Sequence, residues 1–192
     1  MKFKSRFDPD KVWMETTSGI KFDLLNPSPE MVVFDDIATA LARLPRYCGH
    51  GLFPYPVAAH SLYVADLLAG TEYEACGLMH DATEPYTQDV TSPAKYVLRV
   101  LADTPESQFD DFEATIWKKA IAPRFNLPAE LPFSVKQADH VAVLAERRAL
   151  GFTLQRKSYN NLEMPTIPVK RWGSEQELKM AFTERARRLG LL

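Results

Sequence analysis

Residues 77–89 read GLMHDATEPYTQD, and the rest of the chain is organised around this stretch. It begins as an apolar helical segment and turns abruptly polar. Four side chains that can do chemistry at neutral pH fall within it, namely His80, Asp81, Glu84 and Asp89. We therefore expect a catalytic centre here if other segments of the chain bring partners to it.

The composition predicts a single globular domain that spans residues 1–192. The chain is 46% hydrophobic, which is enough to form a core, and helix-compatible patterns dominate it. We therefore predict an all-α helical bundle with a small N-terminal β-hairpin. The net charge of -2 creates no general basic field, so nucleic acid is not an expected partner.

The cysteines and the apolar runs indicate a compartment. Cys48 and Cys76 have no CxxC spacing and fit a reduced cytosolic environment better than a disulfide scaffold. The first residues lack the apolar run of a signal peptide, and no stretch approaches the length of a membrane span. We expect a soluble, cytoplasmic protein without a membrane partner.

Local patterns predict where the hairpin and the helices lie. Residues 12–14 and 20–22 flank a turn-like TTSG cluster and predict the hairpin. Asp35 or Asp36 can cap the first helix, and Ser134 and Ser174 can cap the last two. The predicted helices cover residues 37–44, 56–69, 72–83, 94–102, 107–122, 135–150 and 174–189, and residues 153–173 are predicted to be irregular.

Two residues on apolar helix faces suggest a metal site. His60 and Asp139 both lie on such faces, and a buried carboxylate costs several kcal/mol unless it is paired or bound to a cation. A hydrogen-bonded core histidine and a carboxylate paired with Arg46 are the structural alternatives. Together with His80 and Asp81, however, these residues can surround one divalent ion. Two imidazoles and two carboxylates suit Mn²⁺, Co²⁺, Fe²⁺, Ni²⁺ or Zn²⁺ better than Mg²⁺.

The order of these residues carries a resemblance. His60, His80-Asp81 and Asp139 resemble the H…HD…D signature of the HD phosphohydrolase superfamily. The match resembles most closely the nucleotidase-type branch, with its 5′-deoxynucleotidases and phage dATP triphosphohydrolases, because it also includes Arg46, Glu84, Asp89 and the segment TSPAK at residues 91–95. The resemblance runs from about Phe34 to Asp139. It implies an HD-type helical bundle and a homo-oligomer.

The resemblance also implies a mechanism. One divalent transition metal (Co, Mn, Zn, Fe or Ni) would be held by His60, His80, Asp81 and Asp139, and Mg²⁺ could accompany the phosphates. A metal-held water would attack the phosphorus bonded to the nucleoside 5′-oxygen. Glu84 would act as the general base, and Asp89 would orient the water or protonate the leaving oxygen. For both acids, an ordinary helix-end or turn carboxylate is the structural alternative.

Further residues are expected to bind the substrate. Arg46 is a fork-shaped donor suited to phosphate, and Lys95 lies near a helix start where phosphate can also bind. A structural ion pair and a solvated surface lysine are the alternatives for these two. The expected substrate contacts, which include an aromatic residue against the deoxyribose or base, are Arg46, Tyr47, Gly49, His50, Pro93 and Lys95.

The motif identifies the reacting phosphorus but not the phosphate tail. The leading substrate is dATP or another dNTP, which would yield a deoxynucleoside and triphosphate, and a dNMP is the next candidate. Two other functions remain open: a phosphodiesterase of a signalling nucleotide, and a non-catalytic helical module whose final helix binds nucleic acid. The Glu84 and Asp89 pair favours the nucleotidase branch, whereas the acidic residues interleaved in the final helix disfavour the binding module.

Overall fold

A computed structural model of the chain describes residues 8–102, 108–153 and 163–192. These residues are mainly helical and include a small two-stranded antiparallel sheet near the N-terminus, which confirms the predicted helical fold with a hairpin. A π-helical turn, Trp117–Ile121, joins the helix Gln108–Ile116 to the short helix Ala122–Arg124. The described α-helices are α1 Phe34–Arg43, α2 Val57–Leu67, α3 Glu74–Met79, α4 Glu84–Thr87, α5 Ser92–Ala102, α6 Gln108–Ile116, α7 Ala122–Arg124, α8 Phe133–Ala149 and α9 Glu175–Arg188.

The hairpin docks on the helices through one aromatic residue. Strands β1 (Trp13–Glu15) and β2 (Lys21–Asp23) pair antiparallel, each displaced by one residue from the predicted strand. Phe22 points inward from β2 and is fully buried. Its ring stacks on Tyr86 of α4, with ring centroids 3.7 Å apart. The hairpin thereby covers part of the stretch at residues 77–89.

The predicted cap of the first helix is wrong. α1 begins at Phe34, so Asp36 lies inside the helix instead of before it, and no side chain caps the first turn. The buried Asp36 carboxylate instead accepts hydrogen bonds from the amide and hydroxyl groups of Ser18, at 2.9 and 2.6 Å. These two bonds tie the hairpin turn to α1, and a tertiary contact has therefore replaced the local cap.

The predicted caps of the last two helices have different outcomes. Ser134 lies inside α8, which begins directly after Pro132, so this prediction is also wrong. Proline has no amide hydrogen and prefers an extended backbone before a helix, which explains the earlier start. Ser174 does cap α9, since its hydroxyl accepts a hydrogen bond from the Glu177 amide at 3.1 Å.

Helix α2 forms the centre of the core. All residues from Val57 to Ala65 are buried, and the helix packs against α1, α3, α8 and α9. Such burial is expected of a helix that is apolar on all its faces. His60 and Ser61 are the fully buried polar residues of this segment, and buried polar groups need partners.

The helix predicted over residues 72–83 is shorter than expected. α3 ends at Met79, residues 80–83 form turns, and α4 begins at Glu84. Pro85 explains the break, because it disfavours a continuing helix at the preceding residue and fits the first turn of a new one. Glu84 is therefore the first residue of a new helix, separate from the helix that ends at Met79.

The remaining predictions are tested only where the structure describes the chain. Ser107, the predicted start of the helix over residues 107–122, lies outside the described residues, as do residues 154–162 of the predicted irregular segment. Residues 163–173 contain no helix or strand, as expected. In the three described ranges, none of the helices combines the length and apolar character that a membrane crossing requires.

Candidate metal centre

Three segments bring nitrogen and oxygen ligands to one point. His60 comes from α2, His80 and Asp81 follow α3, and Asp139 comes from α8. The Nε2 atoms of His60 and His80 lie 3.2 Å apart, and an Asp81 oxygen lies 3.2 Å from His80 Nε2. Asp139 Oδ1 lies 3.1 Å from His60 Nε2. The structure thus brings together all four residues that the sequence nominates as metal ligands.

The ligand atoms of three of these residues form the tightest group. His60, His80 and Asp81 each offer one ligand atom such that all lie within 4.8 Å of one another. Asp139 lies outside this group although it touches His60, and its side chain is 36% exposed. We regard the His-His-Asp group as the centre of the candidate site and Asp139 as a further candidate ligand on its more exposed side.

Both imidazoles turn the same nitrogen toward the centre. His80 Nδ1 donates to the Gly77 carbonyl at 2.7 Å, and His60 Nδ1 lies 2.6 Å from a Glu146 carboxylate oxygen. Because a carbonyl can only accept, the proton of a neutral His80 must be on Nδ1, which leaves a lone pair on Nε2. Such hydrogen bonds to the outer nitrogen are typical of metal-binding histidines.

The close approach of α2 and α3 depends on a glycine. A Cβ atom at Gly77 would lie 2.6 Å from Leu68 Cδ1, which is too close for any larger residue without movement. Gly77 therefore allows the end of α3 to pack against the end of α2. This packing brings His80 near His60, and the Gly77 carbonyl then orients the His80 ring.

The charges around His60 would stabilise a positively charged group, either a proton on His60 or a cation. Burial and the Arg46 charge lower the pKa of His60, but Glu146 and Asp139 outweigh them and raise it to about 9. Burial raises the pKa of Asp139, whereas the hydrogen bond and charge of His60 hold it well below its usual range. A proton on His60 and a divalent cation would thus neutralise the same carboxylates and compete for the same position.

The donor set fits a divalent transition ion. Imidazole nitrogens and carboxylate oxygens that converge from different elements are the ligands that such ions prefer. His60 is fully buried and His80 nearly so, which gives them rigid positions. His60, His80, Asp81 and Asp139 are the residues that would hold the ion.

The two predicted catalytic acids lie beside this centre. Glu84 is buried, and its Oε2 has no hydrogen-bond partner within the part of the chain that the structure describes. Burial, reinforced by the charges of Asp81 and Asp89, raises the pKa of Glu84 well above its ordinary value. Burial also raises the pKa of Asp89, although Arg46 opposes the shift. Both residues line a cavity that opens next to the ligands.

This cavity, which we call the Arg46 cavity, has a volume of about 520 Å³. Arg46 Nη1 lies 3.3 Å from Asp81 Oδ2, so the ion pair considered as its structural alternative is present. Gly49 lies in the neighbouring loop with a φ of 78° but does not line the cavity. The aromatic residue Phe152, which was not predicted, lines the cavity. The other predicted substrate contacts also line it, namely Arg46, Tyr47, His50, Pro93 and Lys95.

Lys95 is neither free nor simply solvated. Its Nζ lies 2.5 Å from Glu113 Oε2, and its side chain is only 20% exposed. Burial lowers the pKa of Lys95, but the hydrogen bond to Glu113 outweighs this effect and raises it. Lys95 and Glu84 also line a second cavity of about 800 Å³ beside Trp117 of the π-helical turn. The candidate ligand Asp81 thus lines both cavities.

Sequence reasoning missed Glu146, Glu113 and Phe152. Glu146 is fully buried and lies on the same face of α8 as Asp139, about two helical turns later, so helical periodicity could have found it. Glu113 lies 18 residues from Lys95 on a different helix, and no local pattern connects them. Phe152 follows α8, and its ring lies 5.3 Å from that of Tyr47.

The chain was compared with known proteins. No protein-family model matches it. The uncharacterized protein YfdR of Escherichia coli (strain K12) is 34% identical over 139 residues, which cover 72% of each chain. An uncharacterized protein of Rhodobacter capsulatus is 34% identical over 136 residues, which cover 67% of this chain and 65% of that protein. On this similarity, the chain belongs to the same family as the uncharacterized protein YfdR of Escherichia coli.

Proposed function

We propose that this chain is a metal-dependent phosphohydrolase of deoxynucleotides, built on an HD-type helical bundle. One observation carries the proposal: two histidine Nε2 atoms 3.2 Å apart converge with Asp81 beside a buried carboxylate oxygen of Glu84 that has no hydrogen-bond partner in the described part of the chain. Hydrolysis of a phosphate ester needs such a base close to cations that neutralise the phosphate oxygens. A bound divalent ion would supply Lewis-acid chemistry and lower the pKa of a bound water.

Glu84 is the proposed general base. Its Oε2 has no competing hydrogen bond among the described residues, so it is available to accept a proton from water. Its raised pKa makes it a stronger base than an ordinary glutamate once it is ionised. Asp89 lines the same cavity and is the proposed donor to the leaving 5′-oxygen, a role that its own raised pKa supports.

Two cations support phosphate as the bound group. Arg46 and Lys95 both line the Arg46 cavity, and both already pair with carboxylates, which holds their charges at its wall. Tyr47 and Phe152 supply an aromatic wall, against which a sugar or a base can pack. The volume of about 520 Å³ lies in the range of small-molecule sites. His50 and Pro93 also line this proposed deoxynucleotide site.

The leading substrate is dATP or another dNTP. The experiment incubates the purified protein and Co²⁺ or Mn²⁺ with dNMPs, dNTPs and rNTPs, and quantifies phosphate, triphosphate and deoxynucleoside. We expect triphosphate and deoxynucleoside from dNTPs, and slower turnover of rNTPs. Phosphate from dNMPs alone would identify a 5′-nucleotidase instead. Turnover of a cyclic dinucleotide with neither product would contradict the proposal.

A pair of variants tests whether the centre is responsible. We expect Asp139→Asn to weaken metal binding and turnover, because it removes a charged ligand that touches His60 at 3.1 Å. The control is Asp35→Asn, since Asp35 is an exposed residue of α1 that pairs with Lys179. Equal metal content and turnover in the two variants would exclude Asp139 from the site.

The outer face of α5 supports a homo-oligomer. Its large apolar side chains expose between 51% and 77% of their surface, which is typical of an interaction site: Tyr96, Val97, Leu98, Val100 and Leu101. The same helix carries Lys95 at the candidate centre. Light scattering should report an oligomer for the wild type and a monomer for the double variant Leu98→Glu, Leu101→Glu. A monomeric wild type would contradict this proposal.

A further inference from the structure

Glu146 is a buried carboxylate that contacts four other side chains. Its side chain is fully buried, and one carboxylate oxygen lies 2.6 Å from His60 Nδ1 and accepts from the Tyr55 hydroxyl at 3.2 Å. The other oxygen accepts from the Tyr47 hydroxyl at 2.7 Å and lies 3.5 Å from Arg46 Nε. A buried carboxylate is stable only with such partners, and these come from both the metal centre and the loop beside it.

The loop that Glu146 contacts has an unusual backbone. Tyr47 and Cys48 have φ values of 55° and 54°, so two successive residues with Cβ atoms adopt the left-handed conformation. This conformation is unfavourable for such residues and persists only where surrounding contacts hold it. The Tyr47 hydroxyl bond to Glu146 is one of these contacts, and the bond of the Arg46 amide to the Tyr55 carbonyl at 2.9 Å is another.

One carboxylate thus connects two parts of the site. Through His60 Nδ1 it holds the ring so that Nε2 faces His80, Asp81 and Asp139. Through Tyr47 it holds the loop Arg46–Gly49 at the wall of the Arg46 cavity. The Glu146 carboxylate is therefore in direct contact with both a candidate metal ligand and the loop.

We propose that Glu146 is a positioning residue that couples divalent-ion binding at His60 to the conformation of the loop Arg46–Gly49. The loop's part in nucleotide binding rests on the proposed function, whereas the coupling itself does not. Coupling is reciprocal: an ion that orders the loop must bind more weakly when the loop is released. Glu146 acts through His60 and Tyr47 and touches neither the ion nor the substrate.

The first measurement is metal affinity, by Co²⁺ titration followed by calorimetry and by the visible absorbance of bound Co²⁺. We expect Glu146→Gln to weaken Co²⁺ binding about 10–100-fold, because the amide no longer acts as a charged acceptor for His60 Nδ1. Glu74→Gln is the matched control. It alters another largely buried carboxylate, which pairs with Arg185 and does not contact His60, and it should keep wild-type Co²⁺ affinity.

The second measurement uses the loop's own thiol as a reporter. Cys48 is exposed and Cys76 is buried, so a thiol reagent should label Cys48 first. We expect saturating Co²⁺ to slow this labelling at least threefold in the wild type. Tyr47→Phe keeps the ring but loses the bond to Glu146, so the variant should still bind Co²⁺ but show no slowing. A direct effect of the ion on the thiol would persist in this variant.

The outcomes separate this inference from the proposed function, because neither measurement needs a substrate. Wild-type Co²⁺ affinity in Glu146→Gln, or unchanged slowing of Cys48 labelling in Tyr47→Phe, would overturn the coupling even in an active enzyme. Both expected results in a protein that hydrolyses no nucleotide would support the coupling and contradict the function. If Glu146→Gln does not fold, Tyr47→Phe alone decides.

Discussion

Two arginines in this structure each lie between two carboxylates from other parts of the chain. In the Arg46 cluster, Arg46 lies beside Asp81 and Glu146, and their side chains are 11%, 17% and 0% exposed. In the Arg185 cluster, Arg185 of α9 contacts Asp66 of α2 and Glu74 of α3, and these are 16%, 39% and 15% exposed. The local ion pairs are alike, but their surroundings differ.

The difference lies in the charge balance. Asp139, Glu84 and Asp89 add three more carboxylates around the Arg46 cluster, and two imidazoles direct their Nε2 atoms into it. At the Arg185 cluster, a second cation, Arg188, also acts on Glu74. Excess buried negative charge favours a bound cation, whereas a balanced and partly exposed cluster only ties helices together. This difference in charge balance distinguishes the candidate site from a structural ion-pair network.

The largest expected effect comes from matched aspartates of the two clusters. Asp81→Asn should abolish stable metal binding and lower turnover at least 10³-fold, because the Lewis acid contributes several kcal/mol. Asp66→Asn should leave both unchanged. Elemental analysis of metal content and assays of deoxynucleoside release would check this. Equal losses in both variants would show that the clusters do not differ as described.

The next effect concerns Glu84. Glu84→Gln should keep the metal and lower turnover about 10²-fold, because it removes the proposed base. The pKa of Glu84 is raised above 4.5 and the base acts ionised, so wild-type turnover should rise with pH through that raised value. The variant should lack this rise. A variant with an unchanged pH profile would assign the base to another residue; Glu74→Gln, in the Arg185 cluster, is the control.

Arg46→Met should destabilise the metal-free protein by about 3 kcal/mol, because it leaves buried carboxylates without their cation. Urea unfolding would measure the loss. Added Co²⁺ should restore part of the stability, since it supplies positive charge to Asp81. A loss no larger than that of an exposed ion pair would show that Arg46 is not needed to balance these carboxylates.

The smallest effect is expected at Arg185. Arg185→Met should cost about 1 kcal/mol at neutral pH, since its pairs are partly exposed to solvent. Burial raises the pKa of Glu74, but the Gly70 amide and Arg185 outweigh this and lower it. The stability that the ionised Glu74 contributes is therefore present above 4.5, its pKa in the unfolded chain. It is lost as the pH falls through the lower pKa of Glu74 in the folded protein. The free energy of unfolding, measured as the pH is lowered, should fall less steeply in the variant than in the wild type.

The sequence predicted much of the fold because its signals are local. Helical periodicity, prolines and the TTSG cluster lie within a few residues of the elements they specify. Predictions were wrong where a distant group intervened, as at Asp36, which binds Ser18 instead of capping α1. The helix predicted over residues 72–83 ends earlier than expected, at Met79, because its apolar pattern continues beyond the last helical residue.

The candidate ligands could be nominated from sequence because each follows from a residue type at a helical position. His60 and Asp139 are polar residues on apolar faces, and His80-Asp81 lies at a helix end. Their roles remain predictions, but the structure brings the four together. Helical periodicity also places Glu146 on the face of Asp139, but its bonds to His60 and Tyr47 could not be found in this way, because they span 86 and 99 residues.

The sequence by itself determined that the chain is mainly helical with a small hairpin, and it nominated His60, His80, Asp81 and Asp139 as candidate metal ligands. Only the tertiary structure decided which ring nitrogens face the centre, which carboxylates are buried without enough cations, and that Glu146 joins His60 to the Arg46–Gly49 loop. The physical reason is the distance along the chain over which each effect acts. Helix propensity and the period of the apolar pattern act over a few residues. Buried charge depends on the packing of α2, α3 and α8, which no local pattern specifies.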